Sequence, residues 1–285
     1  MATLSAAAGT APLPVVSLPE AGVFPESITS TADGSLIWGS LGGGTIYRTA
    51  PDQDLAKPWI RADASGHSVY GVLADEARDA LWACWVLRGN DGAQSDLRRF
   101  SLKNGELLQS YAFPGGGSCN DVAIAPNGTV YATDMSGGRI LRLLPGARTL
   151  DVWLANERLK GVDGIVAFEA VVYANNFRSN ELYAFRRKAP ELTVLTASRP
   201  LYKPDGMRPE KNGGFLLVEG SGVLSRVKVS GDRAQIDTLY EGLEGTTALA
   251  VARGRIWVLD SMFRYRSNTD FDAGPFKAYG VPLVK

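Results

Sequence analysis

The stretch "NDVAIAPNGTVYATD" (residues 120–134) reads as two short strands around a turn. Val122 and Ile124 alternate with their neighbours, Pro126-Asn127-Gly128 supplies turn chemistry, and Val130 and Ala132 resume the alternation. "ESITSTADGSLIWGS" (26–40) and "TTALAVARGRIWVLD" (246–260) repeat it without gaps, so that Gly34, Gly128 and Gly254 coincide. Trp38, Tyr131 and Trp257 then fall within one position of each other. "YGVLADEARDALWAC" from Tyr70 fits with one insertion, "DGIVAFEAVVYANN" from Asp163 with one deletion, and "DGMRPEKNGGFLLVE" from Asp205 fits through Leu216. The units start at 26, 70, 120, 163, 205 and 246, giving spacings of 44, 50, 43, 42 and 41.

Near-equal spacings of strand-rich units match the period of a β-propeller blade. The fold class is therefore all-β, a six-bladed propeller of four-stranded blades. Unit three divides into strands at 121–125, 129–134, 138–143 and 148–153, and unit four into 164–168, 171–175, 180–185 and 191–196. Unit six offers only 247–252, 254–259 and 276–283. Residues 13–18, "LPVVSL", supply its missing strand and close the ring, which removes open sheet edges. Residues 1–12 read as a flexible arm and 13–285 as one domain.

Composition narrows the function. Lys plus Arg and Asp plus Glu stand at 30 each, so no charge excess points to nucleic acid or an anionic membrane. No apolar run reaches the roughly 20 residues of a membrane-spanning helix. The start, "MATLSAAAGTAPLPVV", lacks a basic n-region and a long apolar core. It reads as cytoplasmic, with a periplasmic or secreted protein left open if a signal was removed. Cys84 and Cys119 read as two buried, reduced thiols. His67 is the only histidine, which rules out a multi-histidine metal centre.

In a propeller the innermost strands line a central channel. The residues opening the six units are Glu26, Tyr70, Asn120, Asp163, Asp205 and Thr246. Four carry a carboxylate or amide oxygen. Converging carboxylates raise each other's pKa unless a cation sits among them, and all-oxygen ligands suit Ca²⁺, Mg²⁺ or Mn²⁺. Any one such residue is more simply a turn cap, but four in one register favour a metal site. Asp121, Asp134 and Asp260 read as structural, the last two as turn caps.

The stretches "PESI" (25–28), "CNDVAIAPNGTVYATD" (119–134), "VDGIVAF" (162–168) and "PDGM" (204–207) resemble the SMP-30/gluconolactonase/luciferin-regenerating family. That family consists of six-bladed propellers distantly related to paraoxonases and strictosidine synthases. The resemblance implies one divalent cation, calcium first, with magnesium, manganese or zinc as alternatives. Its ligands would be Glu26, Asn120, Asp163 and Asp205. The chain departs from the pattern at Asp163, where Asn is usual, and at Ser118, where sugar lactonases often carry an Arg; a less polar ligand than a sugar lactone follows. The implied activity is hydrolysis of a lactone or ester, with the cation polarising the carbonyl.

Asp205 is the expected general base and His67 the reserve. A small-molecule substrate would meet Tyr70, Ser118, Asn176, Arg178, Lys203, Phe263 and Tyr265 at the mouth. The aromatic-rich insertion 260–276 reads as a cover over that mouth, selecting an apolar or aromatic-bearing substrate. Residues 85–96, "WVLRGNDGAQSD", read either as a hairpin reaching over the same face or as a mobile one. Two alternatives remain at this level: the same metal propeller running a lyase, isomerase or cyclase step, and a non-catalytic ligand-binding propeller with a structural ion.

Overall fold

Alternation at period two and frequent turn residues commit the chain to short antiparallel strands. The computed structural model describes residues 12–62, 66–89, 92–268 and 273–283, so most of the expected N-terminal arm lies outside the described residues. The strands form six sheets: four are four-stranded meanders, the fifth carries an added parallel strand, and the sixth takes its outermost strand from near residue 15. The innermost strands are Pro25–Ser30, Ser68–Asp75, Cys119–Ile124, Val162–Ala167, Pro204–Pro209 and Thr246–Ala252. Each touches the next and the sixth touches the first, which closes a ring about one axis. Only short 3₁₀ turns interrupt the strands among the described residues.

Closure follows the expected route. Val15–Leu18 pairs antiparallel with Phe276–Pro282, Val15 opposite Tyr279 and Leu18 opposite Phe276. Val16 and Leu18 are buried in the core between blades six and one. Apolar clusters fill the spaces between blades, with Trp38, Trp85, Tyr183, Phe185 and Phe215 fully buried. Burying each large apolar side chain contributes about 1.5–3 kcal/mol.

Two expectations need correction. Residues 191–196 are not one strand of blade four: Thr193–Val194 stays there, while Thr196–Ala197 crosses to blade five and pairs parallel with Arg233–Tyr240. The cysteines are not reduced. Cys84, in the second strand of blade two, is disulfide-bonded to Cys119, at the start of blade three's inner strand. Their Cα atoms lie 5.3 Å apart, within the span that a disulfide bridges. Burial alone suits a thiol as well as a disulfide, so composition could not separate them.

Candidate metal centre

Every inner strand breaks register at the same place. Pairing skips from Pro25 to Ile28, Val69 to Val72, Cys119 to Val122, Val162 to Ile165, Pro204 to Met207 and Thr246 to Leu249. Each skip is a two-residue β-bulge, a device that re-aims side chains. The first bulge residues are Glu26, Tyr70, Asn120, Asp163, Asp205 and Thr247. The ring expected from the repeat is therefore present, but inside the strands rather than before them. In blade six Thr247 replaces the expected Thr246. There the hairpin closes over two residues (Ala252 opposite Arg255), against five in blade one (Ser30 opposite Leu36), and the gapless alignment slips by one.

Glycine holds the second bulge position in three blades for a steric reason. A Cβ on Gly71 would lie 2.5 Å from the Asn120 carbonyl oxygen, on Gly164 2.3 Å from that of Asp205, and on Gly206 2.7 Å from that of Thr247. Adjacent inner strands thus approach too closely for a side chain. Where the position is not glycine, it can bond to the next blade: Ser27 Oγ accepts from Val72 N at 3.1 Å, and Asp121 Oδ2 accepts from Ile165 N at 3.4 Å.

Glu26, Asp163 and Asp205 converge, each offering one carboxylate oxygen within 4.8 Å of the others. Asp163 and Asp205 are buried, whereas Glu26 retains partial access. They share a small pocket with Ser27, Asp121, Arg208 and Thr247. Asn120 joins as a donor, its Nδ2 lying 2.6 Å from Asp163 Oδ1. Its carbonyl oxygen is the atom left to serve as a ligand.

The backbones of two ligands are fixed from the neighbouring blade. Thr133 Oγ1 donates to the Asp163 carbonyl at 2.8 Å, and Asn175 Nδ2 donates to the Asp205 carbonyl. Cys84 holds the same register in blade two, so the disulfide ties strand to inner strand covalently where Thr133 and Asn175 do so by hydrogen bonds.

Electrostatics are dominated by crowding. Burial, then the Asp121 charge, pushes the Asp163 carboxyl up to about 8. Burial, Asp163 and Asp121 raise Glu26 well above the carboxylate range, and burial, Asp163 and Glu26 do the same to Asp205. Burial raises Asp121 too, although Arg208 opposes it.

Arg208 was not anticipated. It is buried, with Nη1 3.5 Å from Asp121 Oδ2, and it donates to the carbonyls of Met207 (2.7 Å), Ile28 (2.9 Å) and Val72 (3.3 Å). Four acidic side chains thus face one buried cation, and Asp121 Oδ1 is buried with no partner. The donor set is all oxygen and carries excess negative charge, which fits a hard divalent cation. Glu26, Asp163 and Asp205 would hold it.

The remaining expected residues divide. Tyr70 is on the ring, buried, its hydroxyl accepting from Arg88 Nε at 3.0 Å. Ser118 is buried, and its N–H donates to Asp134. The Asn176 side chain is consumed by its own loop, accepting from the Arg178 and Ser179 amides and donating to the Arg158 and Lys160 carbonyls. Arg178 and Lys203 are exposed, Lys203 Nζ lying 5.6 Å from the Phe177 ring and 5.7 Å from the Tyr202 ring. His67 sits 6.3 Å from Trp85 and does not line the carboxylate pocket. Asp134 and Asp260 act as turn caps, accepting from Gly137 N at 2.9 Å and Met262 N at 3.0 Å.

The aromatic insertion leaves blade six beside Thr246, at the carboxylate end of the ring. Phe263 and Tyr265 lie in a 3₁₀ turn, and Phe263 packs against the cluster that holds Leu41 and Tyr70. Phe271 falls outside the described residues.

No known family profile matches the chain, and no curated protein does. Solved structures do match in fold. A gluconolactonase of Xanthomonas campestris is 18% identical, with a TM-score of 0.65 over 95% of this chain and 91% of its own. Virginiamycin B lyase of Staphylococcus aureus is 11% identical, with a TM-score of 0.63 over 95% and 100%. An aldose sugar dehydrogenase of Streptomyces coelicolor, solved with PQQ bound, is 16% identical, with a TM-score of 0.62 over 95% and 99%. These likenesses show a shared propeller fold.

Proposed function

We propose that the protein is a divalent-metal-dependent hydrolase that opens a lactone or ester at the mouth of its channel. The observation carrying this reading is the convergence of Glu26, Asp163 and Asp205 within 4.8 Å, beside an orphaned Asp121 oxygen and a single buried cation, Arg208. A cation held there would polarise the substrate carbonyl and stabilise the charge that develops on its oxygen.

The chain's own groups supply the rest. Glu26 is the least buried of the three residues, which puts the approach of substrate and water on its side. Asp205 takes the proton from the attacking water and returns it to the leaving oxygen as the C–O bond breaks. Asn120 and Asn175 hold Asp163 and the Asp205 backbone in place. Calcium is the preferred ion, because three carboxylates and an amide suit a larger hard cation. The gluconolactonase likeness agrees with the reading but extends only to fold.

The test is a panel of lactones and aryl esters assayed with calcium and with a chelator. Hydrolysis that disappears with the chelator and returns with the ion supports the reading. Activity indifferent to the chelator contradicts it. Elimination or isomerisation products from the same substrates would assign the site to a lyase or isomerase.

A further inference from the structure

The second strand of blade two does not stop where its counterparts do. Trp85 occupies the register of Ser40, Asp134, Asn176, Glu219 and Asp260, which end their strands or nearly so. Ala80–Gly89 continues for four residues, paired with Gly92–Phe100 up to Gly89 opposite Gly92. At about 3.3 Å per residue these paired strands run roughly 13 Å beyond the ring. Of the expected stretch 85–96, residues 85–89 and 92–96 are therefore a strand-paired wall on the carboxylate face, and residues 90 and 91 fall outside the described residues.

Arg88 is on that wall and is exposed. Its guanidinium lies 5.5 Å from the Tyr70 ring centroid, and both Nε and Nη2 donate to the Tyr70 hydroxyl. Tyr70 is the blade-two member of the ring that supplies Glu26, Asp163 and Asp205. Its ring belongs to an apolar cluster with Leu41, against which Phe24 and Phe263 pack from blades one and six. Two half-buried aromatic rings, the buried Tyr70 and one anchored cation thus stand on the blade-two side of the ring, next to the blade that carries Glu26.

We propose that Arg88 is a specificity residue that binds a carboxylate on the substrate, whose apolar or aromatic body lies against Phe24, Tyr70 and Phe263. This rests on reading the mouth as the substrate site. The physical need is plain. An anion approaching this end meets Glu26, Asp121, Asp163 and Asp205, balanced by Arg208 and a bound divalent ion, and so still faces net repulsion. A guanidinium pre-positioned by a tyrosine hydroxyl offers bidentate, charge-assisted hydrogen bonds at little ordering cost. The substrate class is then a lactone or ester that also carries a free carboxylate.

The test measures binding by calorimetry, with 3-phenylpropanoate and 3-phenylpropanamide as probes, in calcium and in chelator. The wild-type protein should bind the carboxylate at least tenfold more tightly than the amide in both conditions. Arg88→Gln should abolish that preference while leaving amide affinity unchanged, and Tyr70→Phe, which keeps the ring, should reduce it. Equal affinities in the wild type, or a preference surviving Arg88→Gln, overturn the proposal. A preference that vanishes with chelator but not with Arg88→Gln places the carboxylate on the cation and also overturns it. Failure of both probes to bind at millimolar concentration does the same. The readout needs no turnover: carboxylate binding through Arg88 in a protein that hydrolyses nothing retires the hydrolase and keeps this site.

Discussion

Metal-free protein should lose stability as pH rises, and calcium should restore it. Folding raises the Asp163 carboxyl from 3.8 to about 8 by burial and like charge, and raises Glu26 and Asp205 in the same direction. A group whose pKa is raised by folding stabilises the native state while protonated. That stability is full below the unfolded pKa and is lost as pH climbs to the folded one. The window for Asp163 therefore runs from about pH 4 to 8.

Counting only one extra proton on the native state, stability falls by ~1.36 kcal/mol per pH unit, or ~4 kcal/mol between pH 5 and 8. Unfolding entropy of about 2.1 cal/mol/K per residue over 285 residues gives ~0.6 kcal/mol/K, so this loss lowers the melting temperature by ~7 °C. Calcium at a hundred times its dissociation constant returns ~2.7 kcal/mol, or 4–5 °C. Thermal melts at pH 5, 6, 7 and 8, in chelator and in calcium, read both effects. The calcium-induced shift should be small at pH 5 and widen steadily to pH 8. Curves in chelator that are flat with pH, together with melting indifferent to calcium, would rule out a cation-binding cluster of buried carboxylates at this site.

Other outcomes follow from the same geometry. At saturating metal, Asp205→Asn should lower kcat on the best lactone by about 10²–10⁴-fold through loss of the base. Asp163→Asn keeps an oxygen with one charge less and should chiefly weaken and re-rank metal binding; near-normal kcat in Asp205→Asn reduces that residue to a ligand. Deleting residues 1–18 removes the closing strand with buried Val16 and Leu18, about 1.5–3 kcal/mol each, and should lower the melting temperature by several degrees. Deleting 1–11 should change it little, and equal melting of the two truncations would refute strand closure. Unreduced, denatured protein should show no titratable thiol and reduced protein two, because Cys84 and Cys119 are joined; two thiols without reductant would contradict the disulfide.

The repeat carried most of what could be read before folding. Glu26, Asp163 and Asp205 were legible because one register position held oxygen ligands in several blades. Strand closure was legible because blade six lacked a strand that residues 13–18 could supply. Thr247 was missed because turn length differs between blades, and a gapless alignment fixed on glycines cannot see that. Arg208 was missed because its register position is apolar in four other blades, at Leu73, Ala123, Val166 and Ala250; the channel's excess negative charge and three backbone carbonyls account for its burial. The disulfide gave no compositional signal. Its register does give one, since Cys84 aligns with Thr133 and Asn175, both of which bond to the neighbouring blade's inner strand. Residues 191–196 misled because one continuous run serves two blades.

The proposed site holds one divalent cation between three blades at the channel mouth. Elemental analysis of protein dialysed against micromolar calcium, compared with the Asp163→Ala/Asp205→Ala double variant, tests it most directly. The expected outcome is one ion per wild-type chain and none in the folded double variant. An ion retained by the double variant, or none bound by the wild type, would contradict it.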